Sequence, residues 1–224
     1  MTASTTYLLL IRHGENDWVG TNRLAGRTPG VFLNDKGIEQ SARLAEILKT
    51  QPISAVYSSP LERCLQTAEP VAAALGCQVQ QDPGILEVDY GEWRGGDLKE
   101  LGKLPEWQAV QHYPSSFRFP SGETLHETQS RAVWAINRIV ESHPNELVAL
   151  FSHGDVIRTS IAHYMGTPLD LFQRINISTA SISALAFHNG RPMVLFTNYT
   201  TELPKFELKQ EESTAEATED NKSE

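Results

Sequence analysis

Two short apolar runs in this chain end in the same way. Residues 7–11 run into Arg12-His13-Gly14, and residues 147–151 run into Ser152-His153-Gly154. A third run, 53–57, ends in Ser58-Ser59-Pro60 and is followed by Arg63. A single histidine closing an apolar run is most often a structural hydrogen-bonder. Two of them, each followed by glycine and with arginines nearby, describe a site. Three chemistries use such residues. A metal centre needs further His, Asp, Glu or Cys ligands at ligand spacing, and His112, His126, His143, His163 and His188 are scattered. A serine hydrolase needs a Gly-x-Ser-x-Gly elbow, and the sequence has none. Phosphate chemistry suits the set best. The guanidinium fork binds phosphate oxygens in pairs, glycine lets backbone N–H groups approach an anion, and histidine can act as a covalent nucleophile.

The elements that must position these residues follow from hydrophobic periodicity. Strand patterns occur at 7–11, 53–57, 147–151, 182–187 and 193–196, with a weaker one at 78–80. Helical patterns separate them. One spans 36–50, with Ile38, Ala42, Ala45 and Leu48 on a stripe. The next is expected to start with Ser59 as N-cap and Pro60 at its first position, to bury Leu61, Leu65, Ala68, Ala72 and Leu75, and to stop at Gly76. A third begins at Thr124 with a capping-box spacing to Glu127 and turns Val133, Ile136 and Val140 inward. A fourth follows Gly154, with Val156, Ile157, Ile161 and Tyr164 inward, and ends at Gly166 and Pro168. Strands alternating with helices imply an α/β three-layer α/β/α sandwich around a mostly parallel sheet. Asn189-Gly190 is a hairpin signal that makes one strand antiparallel. In such sheets ligands bind beyond the carboxyl ends of the strands, where both His-Gly pairs sit. Residues 93–120 interrupt the alternation with Gly, Pro and Trp, and read as a lid insertion whose Trp93, Trp107, Tyr113 and Phe117 would enclose a partly apolar pocket or form a small core of their own.

LIRHGEND, YSSPLERCLQT, ILEVDYGEW, FPSGET and LFSHGDVIR, in this order, resemble the histidine phosphatase superfamily in its phosphoglycerate mutase-like branch, over residues 7–200. The resemblance implies a metal-independent phosphatase that hydrolyses a small-molecule phosphomonoester, with no cofactor. It makes His13 the phosphate acceptor, with Arg12 and Arg63 holding phosphoryl oxygens and His153 as a further donor. Glu87 corresponds to the family's proton donor. Gly14, Gly154, Asn16 and Arg27 join the expected substrate-binding set, Asn16 as a replacement amide and Arg27 for a remote acidic group. A phosphomutase using the same histidine is the alternative, and a non-catalytic phosphate-binding module the third reading. The chain also departs from the branch. Val19 follows Trp18 where Asn is common, and Asp89-Tyr90-Gly91 replaces His-Tyr-Gly. The insertion carries Lys99, Lys103 and Arg118 singly instead of paired arginines, which argues against a glycolytic mutase.

Bulk properties set the frame. The 224 residues suffice for one domain with a substantial core, expected at 1–207. The formal charge of −9 is concentrated toward a polar, acidic stretch at 208–224, expected to be a disordered tail. No segment gathers Lys and Arg, so no nucleic-acid partner is expected, and no window has the length of a membrane span. The N-terminal apolar run is too short for a signal peptide, and Cys64 and Cys77 suit a reducing compartment, so a cytoplasmic protein is expected. The reading leaves room for a homodimer.

Overall fold

Leu8 and Leu10 point to one side of the first strand, Leu9 and Ile11 to the other, so both faces of this strand must be covered. The computed structural model, which describes residues 4–200, shows how. The expected tail at 208–224 lies outside the described residues. Among the described residues, six strands form one sheet: β1 (Thr5–Arg12), β2 (Ile53–Ser58), β3 (Val79–Gln81), β4 (Leu147–Ser152), β5 (Ile182–His188) and β6 (Arg191–Tyr199). Their order is β3-β2-β4-β1-β5-β6. β1 pairs with β4 in parallel, with Ile11 opposite Phe151 and Arg12 opposite Ser152. The two His-Gly pairs therefore leave the sheet side by side. β5 is antiparallel to both β1 and β6 and alone runs against the rest. The Asn189-Gly190 turn closes the last hairpin with both residues at positive φ, 50° and 77°.

The helices are α1 (Asp17–Gly20), α2 (Asp35–Leu48), α3 (Glu62–Leu75), α4 (Leu98–Leu101), α5 (Trp107–His112), α6 (Leu125–Ser142) and α7 (Gly154–Met165). α2 and α3 pack Leu44, Leu48, Ala68 and Val71 against Ile11, Val56, Ala149 and Phe151 on one face of the sheet. α6 and α7 pack Ile136, Ile139, Ile157 and Ile161 against Leu8, Leu10, Val148 and Leu150 on the other. Each such fully buried side chain contributes about 1.5–3 kcal/mol. The expected three-layer α/β/α sandwich is present.

The expected capping box and the two closing glycines are present. Thr124 Oγ1 accepts from the Glu127 N–H and Glu127 accepts in return from the Thr124 N–H, completing the capping box. Gly76 and Gly166 close α3 and α7 at φ 70° and 67°. Burial phases differ from the sequence expectation. α2 buries Gly37, Ser41, Leu44, Ala45 and Leu48, while Ile38 and Ala42 are exposed. The reason is polar. Pro70 inside α3 has no N–H for the Gln66 carbonyl, and Ser41 Oγ donates to it at 3.1 Å. α6 buries Ile136 as expected, but Ala132, Ala135 and Ile139 in place of Val133 and Val140, which are half-buried.

α3 starts at Glu62, not at Pro60, with Leu61 as N-cap and no capping side chain. Ser59 turns inward instead. The insertion takes the second of its two expected forms, a small core of its own. Trp93 stacks with Trp107 at 5.9 Å and meets Phe117 at 5.3 Å, and Trp93, Val110 and Phe119 pack on Leu169 and Phe172. Its aromatics form a satellite core instead of a pocket wall, and Tyr113 is exposed.

Candidate active site

At the carboxyl edge of β1 and β4 the chain must turn sharply, and two glycines set the terms. A Cβ on Gly37, at the start of α2, would lie 2.0 Å from the Glu15 carbonyl oxygen, and one on Gly14 would lie 2.8 Å from the Gly37 oxygen. The loop after β1 and the start of α2 are thus in backbone contact. The Gly14 N–H donates to Thr67 Oγ1 at 2.9 Å. That hydrogen bond corrects the expectation that Gly14 would offer its N–H to substrate; it anchors the loop to α3. Gly154 fits its expected place at the cleft, for a steric reason. A Cβ there would stand 3.3 Å from Arg12 Nε, so glycine admits the guanidinium.

His13 is fully enclosed, and its Nδ1–H donates to the Gly14 carbonyl at 2.7 Å. That hydrogen bond fixes the tautomer and leaves the Nε2 lone pair free to attack. Burial, reinforced by Arg63 and Arg12, pushes the pKa of His13 well below the usual histidine value, so the ring is neutral. Arg12 donates from Nη1 to the Ile177 carbonyl at 2.7 Å. Arg63, although 1% exposed, uses only Nη2, which donates to the Gly26 carbonyl at 2.9 Å and to His153 Nδ1 at 3.0 Å. Arg12 Nε, Arg63 Nε and Nη1, and Asn16 Nδ2 are buried donors without a protein partner. Asn16 is oriented by its own backbone: Oδ1 caps α1, accepting from the Trp18 and Val19 N–H groups, which turns Nδ2 the other way. Buried donors left unpaired are costly, and several converging on one place describe an anion site.

Glu87 faces the same space, with Oε2 at 4.0 Å from Arg63 Nη2 and 3.7 Å from His153 Nδ1. Burial, assisted by Asp155, raises its pKa to about 7 against the pull of Arg63 and Arg12. The carboxyl can therefore both give and take a proton near neutrality. His153 meets His13 edge-on, ring centres 5.4 Å apart. Its expected donor role is not what this arrangement shows. Arg63 can only donate, so His153 Nδ1 accepts, and burial with the nearby arginines keeps the ring neutral.

Arg27, expected to reach a substrate group, does not line the cleft. Its Nε donates to the Glu87 carbonyl at 2.8 Å and its Nη2 to Glu123 Oε1 at 2.7 Å. Arg131, which the sequence reading passed over, donates to the carbonyls of Gly84, Leu86 and Glu87 and pairs with Glu123 at 2.9 Å. Glu123 of the FPSGET motif is the hub of a clamp on the backbone that presents Glu87. Burial works against its ionisation, but Arg131, the Asp89 N–H and Arg27 outweigh it and bring its pKa down to about 2.

The cleft holds about 260 Å³. Besides Arg12, His13, Asn16, Arg63, Glu87 and Gly154, it is lined by Trp18, Arg23, Leu24, Tyr90, Leu98, Asp155 and Arg158, among others. Arg23 stacks 4.3 Å over Trp18, and Asp155 accepts from Tyr90 Oη and Arg158 Nη1, both at 2.8 Å. Tyr90, Asp155 and Arg158 all sit inside motifs legible in the sequence; only their convergence was not. A larger hollow, about 530 Å³, lies between α2 and the β5–β6 edge and holds none of this chemistry. Among the described residues no three His, Cys, Asp or Glu are grouped to hold a metal ion.

Residues 8–200 match the model of the histidine phosphatase superfamily (branch 1). The chain is 29% identical over 204 residues to phosphoserine phosphatase 1 of Hydrogenobacter thermophilus, covering 89% of this chain and 95% of that one. It is 31% identical over 184 residues to a probable phosphoglycerate mutase, GpmB, of Cronobacter sakazakii, covering 81% and 85%. The crystal structure of phosphoserine phosphatase from Entamoeba histolytica in complex with 3-phosphoglyceric acid superposes with a TM-score of 0.81 at 26% identity, covering 88% of this chain and 98% of that one.

Proposed function

The chain belongs to branch 1 of the histidine phosphatase superfamily, and on that premise we propose that it hydrolyses a small-molecule phosphomonoester through a phosphohistidine on His13, without a metal ion. One observation carries the reading: Arg12, Arg63 and Asn16, each with a buried, unpaired donor, line one cleft with a neutral His13 whose Nε2 is free and a protonatable Glu87. His13 Nε2 forms a bond to phosphorus as the phosphorus–oxygen ester bond breaks, and the Glu87 proton passes to the leaving alkoxide. Glu87, now a carboxylate, takes a proton from water, whose oxygen attacks phosphorus and releases His13 and inorganic phosphate. Arg12 and Arg63 stabilise the charge that accumulates on the phosphoryl oxygens, the task a cation performs at other phosphoryl-transfer sites. Arg23 and Arg158 lie further along the cleft, and relatives are named for phosphoserine and phosphoglycerate. Both support a substrate with a second, acidic group. Unpaired Cys64 and Cys77 support a reducing, cytoplasmic setting.

The second reading, a phosphomutase, draws on the relatives named as mutases. Against it, Lys103 and Arg118 are exposed and paired with Glu100 and Glu127, outside the cleft. Phosphate release from a panel of alkyl phosphates, phosphoserine and phosphoglycerates, run with and without EDTA, tests the proposal. Hydrolysis that survives chelation and falls by several orders of magnitude in His13→Ala is expected. Phosphoryl transfer between substrates without phosphate release would favour the mutase, and an adduct on another residue would overturn the mechanism.

A further inference from the structure

Ser59 and Cys64 carry no role in the reaction as drawn, yet both are fully buried against His153. His153 Nε2 lies 2.8 Å from Ser59 Oγ, and Cys64 Sγ lies 3.5 Å from the same nitrogen. The Cys64 thiol donates to the Ser152 carbonyl at 3.5 Å, and its sulfur also lies 3.8 Å from His153 Nδ1. The two ends of this series allow only one direction. Arg63 Nη2 has no lone pair and must donate to His153 Nδ1; the Ser152 carbonyl has no proton and must accept. Nδ1 is therefore the bare nitrogen, Nε2–H donates to Ser59 Oγ, and the Cys64 thiol proton goes to the Ser152 carbonyl.

We propose that Ser59 ends a one-way hydrogen-bond chain, from Arg63 through His153 to Ser59, that fixes the tautomer of His153 and, through its bare Nδ1, the aim of Arg63, with Cys64 packed against Nε2. This deepens the phosphatase reading and rests on it, because the aim of Arg63 matters only if Nε and Nη1 receive a phosphoryl group. Nη2 is held by Gly26 and His153 together, so the remaining two nitrogens are directed without help from substrate. Burial pushes the Cys64 thiol up to about 12, so it stays protonated and keeps its place as a donor. The link accounts for the inward turn of Ser59, which leaves α3 without a side-chain cap.

Nitrogen-15 NMR of the histidine rings reads the tautomer directly and is indifferent to turnover. The wild-type protein should show His153 protonated at Nε2. Cys64→Ser, which keeps a donor and an acceptor at that point, should leave the tautomer unchanged. Ser59→Ala removes the acceptor for a buried N–H and should move a substantial fraction to the Nδ1–H form, with kcat reduced about tenfold. Cys64→Ala, which removes the sulfur packed against Nε2, should shift the tautomer in the same direction with a smaller loss. Ser59→Thr should restore the wild-type spectrum and most of kcat. An Nδ1–H resonance in the wild-type protein would overturn the proposal, as would an unchanged tautomer in Ser59→Ala. Rapid-quench trapping of the wild-type phosphoenzyme is scored separately. If no phosphohistidine forms while the NMR pattern is as stated, the function assigned to the site fails and the chain stands.

Discussion

Glu87 shows how one side chain can serve two opposite steps. With its pKa raised to about 7, chiefly by burial, it is mostly protonated on the acid side of neutrality. Phosphorylation of His13 needs that proton, so the burst rate should be level just below about pH 7 and fall about tenfold per unit above. The pKa of His13 is held well below the usual histidine value by burial, Arg63 and Arg12, so any limb from its protonation falls on the acid side of the Glu87 limb. Dephosphorylation needs the carboxylate and should rise with pH up to about 7 and then level. Glu87→Gln should slow the burst with alkyl phosphates by about a hundredfold or more, and leave it nearly unchanged with p-nitrophenyl phosphate, whose leaving group needs no acid. Equal slowing with both substrates would mean that Glu87 holds the phosphate or the fold. At this scale the sequence was legible where identity carries the chemistry: Arg12, His13, Arg63 and Glu87 meet in the structure. It misled where the partner decides. Arg27 reads as a free cation until Glu123 and the Glu87 carbonyl occupy it, and Gly14 as an anion-binding N–H until Thr67 does.

The segment that bears Glu87 has little regular structure of its own, so other elements must hold it still. Arg27 from the loop after β1 and Arg131 from α6 grip its carbonyls, and Glu123 grips both arginines. Glu123→Ala should cost about 2 kcal/mol by removing the carboxylate that bridges two partly buried guanidinium groups, and kcat should fall more with alkyl than with aryl phosphates. The linkage has a sign. Glu123 is depressed to about 2 from an ordinary value of 4.5. Its contribution is therefore complete above 4.5 and lost as pH falls toward 2. Acid unfolding of Glu123→Gln, followed by circular dichroism, should be shallower across that interval; an identical profile would mean the clamp contributes nothing to stability. Such a clamp joins residues 27, 87, 123 and 131, and no local pattern announces it. Periodicity likewise located α2 and placed Ala45 and Leu48 inward, but misphased its first half, where the inward face is built from Gly37 and Ser41, which hydrophobicity does not count. The capping box at Thr124 was legible because all its atoms lie within one turn.

Taken whole, the chain is acidic, yet four arginines line one cleft. Residues 208–224 carry six acids against two lysines. Truncation after Glu207 should raise kcat/KM for dianionic substrates by up to about threefold at low salt and leave kcat alone. The gain should vanish near 0.3 M salt, where the screening length is about 6 Å. A gain that persists at high salt would mean steric obstruction. The sheet order was only partly legible: alternation of strands and helices gave the layers, whereas the adjacency of β1 and β4 depends on pairing across more than a hundred residues. The backbone contact between Gly37 and the loop after β1 and the side chains that line the cleft have different histories ahead of them. On the side of β1, α2 and α3, a single added methyl at Gly37 would collide with the Glu15 carbonyl and displace the loop that carries His13. Gly37→Ala should therefore abolish turnover although it touches no reacting atom. Trp18, Leu24 and Leu98 also line the cleft, and exchanges there should redistribute KM among substrates while the burst with p-nitrophenyl phosphate persists. Descendants of this sequence are free to change what they dephosphorylate, but not how.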